Sequence, residues 1–318
     1  MKRTIIAAYS IFLLMLSQAI FAGATRGQVS SFLEVEKIID KWGQPTKTLL
    51  VMDNDDTLTM MPCPNLEDLD NCQYLGSAAW FSWQRQLLNT SSPYKVADNI
   101  THLIDISTLI FAISDMDYTE STLPSILHGL KSKGVRLMVE TARSNANVAA
   151  TTRQFSQLPT ETKSAHNLLQ LIKSNSLHFT PSGLASLPSP YIPCDIPGAR
   201  PISYQQGVMY VAGQNKGTML ECMLNLYQAD RASGVGMDIT HIVFIDDTKK
   251  NVDNVFATFK NNKQYTLRAL HYNKLGEHKA ALTKGIHKDK IQETTHKHWT
   301  MIRDALKQNV SKPAAIYN

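Results

Sequence analysis

The sequence predicts an α/β protein, a Rossmann-like doubly wound parallel sheet with an inserted helical cap. Three short apolar runs, Thr48–Met52, Val135–Val139 and His241–Ile245, have strand length, and two of them stop abruptly in acidic residues. Buried parallel strands end this way at the carboxyl edge of an α/β sheet. Helical patterns separate the three runs, as crossover connections require. About 80 residues lie between the first and second run, more than one crossover helix needs, so a further unit is inserted there.

Taken in order, the chain opens with Lys2 and Arg3, an apolar run from Ile5 to Leu16, and Ala22-Gly23-Ala24. This is the layout of a cleaved secretory signal peptide over residues 1–24, and it predicts a periplasmic or secreted protein. As an uncleaved anchor the run falls short of the roughly 20 residues that span a bilayer. No later segment reads as transmembrane, so no stable membrane insertion is expected after cleavage.

Ser31 and Glu34 have capping-box spacing, and Val35, Ile38, Ile39 and Trp42 follow on one helical face up to Gly43. After the first strand, Gly76–Leu88 and Val96–Ile113 read as two helices of a cap, residues 61–118. Ser121–Lys133 is a helix stopped by Gly134, and it leads into the second strand. Residues 157–200 are rich in Ser, Thr and Pro, and Ile202–Ala212 alternates around Gln206-Gly207 as a hairpin. A helix near Val252–Lys260, a strand near Thr266–Tyr272 and a basic amphipathic helix Lys288–Asn309 complete the chain. The core is thus assigned to 25–60 and 119–318, with a second insertion at about 157–212.

Hydrophobic residues make up 43% and charged residues 19%, which argues against disorder and coiled coil. The net charge of +5 is spread along the chain, so no basic footprint for nucleic acid is expected. Four cysteines allow three pairings. Cys63 and Cys72 share one polar loop and are the favoured pair. Cys194 lies in another loop. Cys222, among Leu220, Met223 and Leu224, reads as a buried free thiol. The absence of CxxC spacing and of a nearby histidine cluster argues against zinc.

The chemical signal is Leu49-Leu-Val-Met-Asp-Asn-Asp-Asp-Thr-Leu58, a strand that delivers Asp53 and Asp55 at i and i+2. The Asp53 carboxylate can attack phosphorus, and Asp55 can protonate a leaving alcohol and then deprotonate water. The bland alternatives are an acidic turn or a calcium loop, and EF-hand spacing is not met. His296 and His298, at i and i+2, do not share a helical face. Trp80, Phe81 and Trp83 line either a pocket or the interior of the cap.

This segment resembles motif I, DxDx[TV], of the haloacid dehalogenase superfamily, and three further motifs follow in order. Thr141 in Leu137-Met-Val-Glu-Thr-Ala-Arg143 is similar to the motif II Ser/Thr, Lys216 in Gly213-Gln-Asn-Lys-Gly217 to the motif III lysine, and Asp246-Asp247 to the motif IV acidic pair. The resemblance implies that Thr141 and Lys216 bind the phosphoryl group. It also implies that Mg2+ is held by Asp53, the backbone carbonyl of Asp55 and Asp247, with Asp246 on the ion or behind it. The Trp80–Trp83 segment, the Asn-Lys-Gly motif and the leader look most like an exported bacterial branch, with secreted acid phosphatases as the nearest characterised comparison.

Two departures stand out: Asp56 where Gly is common, and Glu140 beside Thr141, whose charge would oppose phosphate. The expectation is an exported Mg2+-dependent phosphatase that forms an aspartyl-phosphate and acts on a small phosphorylated substrate. Its alternative is a non-catalytic phosphate- or metal-binding or secreted effector protein that keeps the site. The cap carries no motif that names the substrate.

Overall fold

The computed structural model describes residues 23–160, 166–179, 196–231 and 238–310. Residues 1–22 of the leader reading lie outside this set, as do Cys194 and residues 161–165 and 180–195 of the Ser/Thr/Pro-rich stretch. Seven strands form the main sheet: β1 (Ala24–Val29), β2 (Thr48–Met52), β5 (Arg136–Thr141), β6 (Ser203–Gln205), β7 (Val208–Tyr210), β8 (His241–Asp246) and β9 (Thr266–Tyr272). Their order is β1-β9-β8-β2-β5-β7-β6, parallel throughout except for the β6–β7 hairpin. That hairpin turns at Gln206 and Gly207, both at positive φ, as a tight two-residue β-turn demands. A separate pair, β3 (Thr59–Met60) and β4 (Asp117–Tyr118), closes the base of the inserted segment.

Helices cover both faces, and the period-2 alternation of the strands sorts the core into two layers. On one face Leu50, Met52, Leu137, Val139, Val243 and Ile245 pack against α1 (Phe32–Trp42), α4 (Leu123–Ser132), α5 (Val148–Gln157) and α6 (Leu168–Asn175). On the other, Leu49, Val51, Met138, Ile242 and Phe244 pack against α7 (Lys216–Arg231) and α8 (Lys249–Phe259). Helix α1 starts where the Ser31 side chain accepts from Glu34 N, and ends at Gly43 in the left-handed region.

Strand β1 had no sequence signal, because among Ala24–Val29 only Val29 is buried. Its pairing with β9 is continuous, and a cut after Ala24 would remove the first paired residue. A third apolar cluster joins α2 (Ala78–Leu87) and α3 (Ile100–Ile113) to the C-terminal helices α9 (Gly276–Ala281) and α10 (Lys288–Val310) through Trp80, Trp83, Leu103, Ile110, Leu282 and Trp299. The basic helix α10 is therefore structural partner to the inserted helices.

Cys63 and Cys72 are disulfide-bonded. Cys222 is also disulfide-bonded, which corrects the expectation of a free thiol: burial among apolar neighbours does not distinguish a thiol from a bridged sulfur. Among the described residues no helix is long and apolar enough to cross a membrane.

The second residue of α7, Gly217, lies against α8 so closely that a Cβ there would meet the Asn254 carbonyl oxygen at 2.7 Å and Thr258 Oγ1 at 2.5 Å. Gly217→Ala is expected to push the two helices apart and cost about 1–3 kcal/mol. Gly276→Ala, where a Cβ meets nothing within 4 Å, should stay within about 0.5 kcal/mol. Denaturant unfolding of both variants checks the contrast.

Candidate active site

Strand β2 has β5 on one side and β8 on the other, so the chain reverses its direction of winding there. The crevice beyond the carboxyl ends of such strands is where α/β sheets bind ligands. Strand parity decides what enters it. Asp53 continues the Leu49–Val51 face, Glu140 continues the Met138 face, and Asp246 continues the Ile242–Phe244 face. All three carboxyls thus point toward the layer that contains α7, whose first residue is Lys216.

Asn215 Oδ1 accepts from Thr218 N at 3.2 Å and caps this end of α7. Lys216, 1% exposed, sends Nζ to Asp53 Oδ1 at 2.5 Å and Asp246 Oδ2 at 2.6 Å. Thr248 N and Asn251 Nδ2 also donate to Asp246, so its oxygens are fully engaged. Burial alone would lower the Lys216 pKa, but Asp246, Asp53 and Glu140 together raise it above its usual value. The ammonium is permanent.

Asp247 belongs to a second group. Its backbone N donates to Thr57 Oγ1 at 2.9 Å, tying β8 to the loop after β2, and its carboxylate meets Lys279 of α9. Asp56 stands close enough to feel both. It occupies the left-handed region at φ 60°, which Asp tolerates better than most residues.

The third group centres on Asp55, which Arg143 grips with Nε at 2.9 Å and Nη2 at 2.6 Å. Arg143 is held in turn by Thr151 and Gln154 and stacks 3.9 Å over Phe111 of α3. Thr141, buried at the end of β5, accepts from Arg143 N at 3.2 Å, which leaves its hydroxyl proton to donate elsewhere.

Two residues of this arrangement were missed from sequence. Arg143 was in plain view two residues past a strand end, and a cation there beside an acidic crevice was a usable signal. Lys279 had none, since it reaches the crevice only because α9 folds back over it.

Six carboxyls, Asp53, Asp55, Asp56, Glu140, Asp246 and Asp247, share this end of the sheet with three cations, Lys216, Arg143 and Lys279. Burial is the main reason why Asp53 and Asp247 take up protons more readily than usual. Lys216 opposes it at Asp53 and Lys279 at Asp247, and neighbouring carboxylates reinforce it. Glu140 is fully buried with both oxygens unpaired, and burial raises its pKa well above normal. The shift favours the uncharged form of Glu140, which lessens its opposition to a phosphate.

Ligand oxygens of Asp53, Asp246 and Asp247 lie within 4.8 Å of one another. Hard oxygen donors in a buried, over-acidic crevice suit Mg2+. The Asp55 carboxylate is not in that set, and Arg143 occupies it.

A family model described as "Protein of unknown function (DUF2608)" matches residues 28–307. The chain belongs to this family. Among solved structures, the DUF2608 chain matches the crystal structure of cytosolic 5'-nucleotidase IIIB bound to cytidine at 11% identity, with 84% of this chain and 93% of that chain covered and a TM-score of 0.31. A search of curated proteins found no match.

Burial, and the Asp247 charge after it, push the Asp56 pKa up to about 8 from 3.8, with Lys279 opposing. The folded state therefore binds this proton more tightly than the unfolded chain. The resulting stabilisation is complete below the unfolded value and is lost as pH rises through about 8. Thermal melts without metal should show stability falling between about pH 5 and about pH 8, by a few kcal/mol, and Asp56→Asn should flatten that decline.

Proposed function

We propose that this DUF2608 protein is an exported, Mg2+-dependent phosphate monoester hydrolase of the haloacid dehalogenase type. The observation that carries this reading is the buried Lys216 ammonium bridging Asp53 and Asp246, with Asp247 alongside. That arrangement sets a carboxylate nucleophile beside a fixed cation, and a phosphate dianion approaches a carboxylate only where cations offset the repulsion.

In the first half-reaction an Asp53 oxygen attacks phosphorus, the ester P–O bond breaks, and protonated Asp55 gives its proton to the departing alkoxide. In the second, the Asp55 carboxylate takes a proton from water, and the hydroxide oxygen bonds to phosphorus. The acyl phosphate bond then breaks to release phosphate and restore Asp53. Lys216 and the Thr141 hydroxyl hold phosphoryl oxygens, and Arg143 orients the Asp55 carboxylate. Asp53, Asp247, the Asp55 carbonyl and, less directly, Asp246 would hold Mg2+, which supplies charge neutralisation at the phosphoryl oxygens. Residues 61–118, as a cap over the crevice, would select a small phosphorylated substrate. Export accounts for a chain with bridged cysteines, since disulfides persist in oxidising compartments.

Turnover of an aryl phosphate with Mg2+ is expected, with Asp53→Asn at background and Arg143→Ala reduced on the order of 100-fold by misplacing Asp55. No hydrolysis across a broad panel of phosphate esters would overturn the reading.

Metal should also raise the melting temperature by mass action, about 2.7 kcal/mol at a hundredfold excess over Kd. Asp247→Asn should weaken that effect more than Asp246→Asn, because the Asp246 oxygens are already engaged. Equal melting temperatures of the wild type with Mg2+ and with chelator would exclude the metal site.

A further inference from the structure

Among the described residues, one group of chemically capable side chains is left over outside the acidic crevice. Ligand atoms of Cys63, Cys72 and His278 lie within 4.8 Å of one another. His278 is 3% exposed, yet neither ring nitrogen has a hydrogen-bond partner. The ring stacks on Tyr74, 4.6 Å between centroids and 11° between planes, which fixes its plane. A buried imidazole without a partner costs free energy, so a protein that keeps one beside two sulfurs has a use for it. Burial also pushes its pKa down to about 4, leaving the neutral ring that a metal ion requires.

We propose that reduction of the Cys63–Cys72 disulfide opens a thiophilic metal site, with the two thiolates and one nitrogen of His278 as protein ligands and Zn2+-like ions as its occupants. A dithiol reductant supplies two electrons and two protons, leaving two thiols and its own disulfide. The ion then displaces a proton from each thiol as both sulfurs coordinate. Two sulfurs and a nitrogen are a soft donor set that selects zinc over magnesium, so the site is chemically distinct from the all-oxygen crevice. It also joins two parts of the molecule, because the cysteines lie in the loop after β3 whereas His278 is on α9. An ion there would replace the disulfide as the fastening of that loop and tie it to the helix bearing Lys279.

The test uses the full chain, reduced anaerobically with a dithiol, freed of it by gel filtration, and titrated with Co2+ as a spectroscopic substitute for Zn2+. Reduced protein should develop a thiolate-to-cobalt charge-transfer band that Zn2+ bleaches, and oxidised protein should not. His278→Ala should weaken binding at least about 10-fold. Cys63→Ser, which retains the other cysteines, should abolish the band. No band in the reduced wild type, or a band that survives Cys63→Ser, would overturn the proposal. Phosphatase activity is not read, so neither outcome depends on that assignment.

Discussion

The Lys216 ammonium sets the geometry of the crevice. Removing it and its partners from water costs several kcal/mol per ion before any attraction is counted, so the surrounding structure has to place three charges with little tolerance. Lys216 Nζ lies 2.5 Å from Asp53 and 2.6 Å from Asp246, on side chains from β2, β8 and the start of α7. The sheet register sets the first two, and the close approach of α7 to α8 at Gly217 sets the third. A sheet slipped by one residue would turn both aspartates to the opposite face.

Around that centre the charges fall into three linked groups, each from a different stretch of chain. Arg143 and Asp55 connect the crevice to α3 through Phe111, so movement of α2 and α3 would be felt at the Asp55 carboxyl. Lys279 and Asp247 connect it to α9, and α9 packs with the same helices. The crevice is thus fastened on two sides to the helices between β2 and β5.

The apolar alternation of β2, β5 and β8 was legible because a strand buried on both faces has only one way to satisfy its side chains and its backbone. Asp53, Asp55 and Asp246-Asp247 were legible because polar residues ending such strands must emerge at the sheet edge. Strand β1 was not, since Thr25, Arg26, Gly27 and Gln28 are exposed and are held by backbone pairing to β9 and by contacts distant in sequence, such as Arg26 with Asp253 and Phe256. Cys222 misled because the same apolar neighbours suit a thiol and a disulfide. Zinc was argued against on spacing, yet His278 meets Cys63 and Cys72 from more than 200 positions away.

The sequence by itself therefore determined the doubly wound sheet and the residue types at its carboxyl edge, because hydrophobic period and strand-end polarity are local properties of the chain. Only the tertiary structure decided that Arg143 grips Asp55, that Lys279 covers Asp247, that Glu140 is buried without a partner, and that α10 packs with the inserted helices. The reason is physical: a side chain's charge state and partners depend on what the fold brings within a few ångströms of it, and no spacing along the chain encodes that.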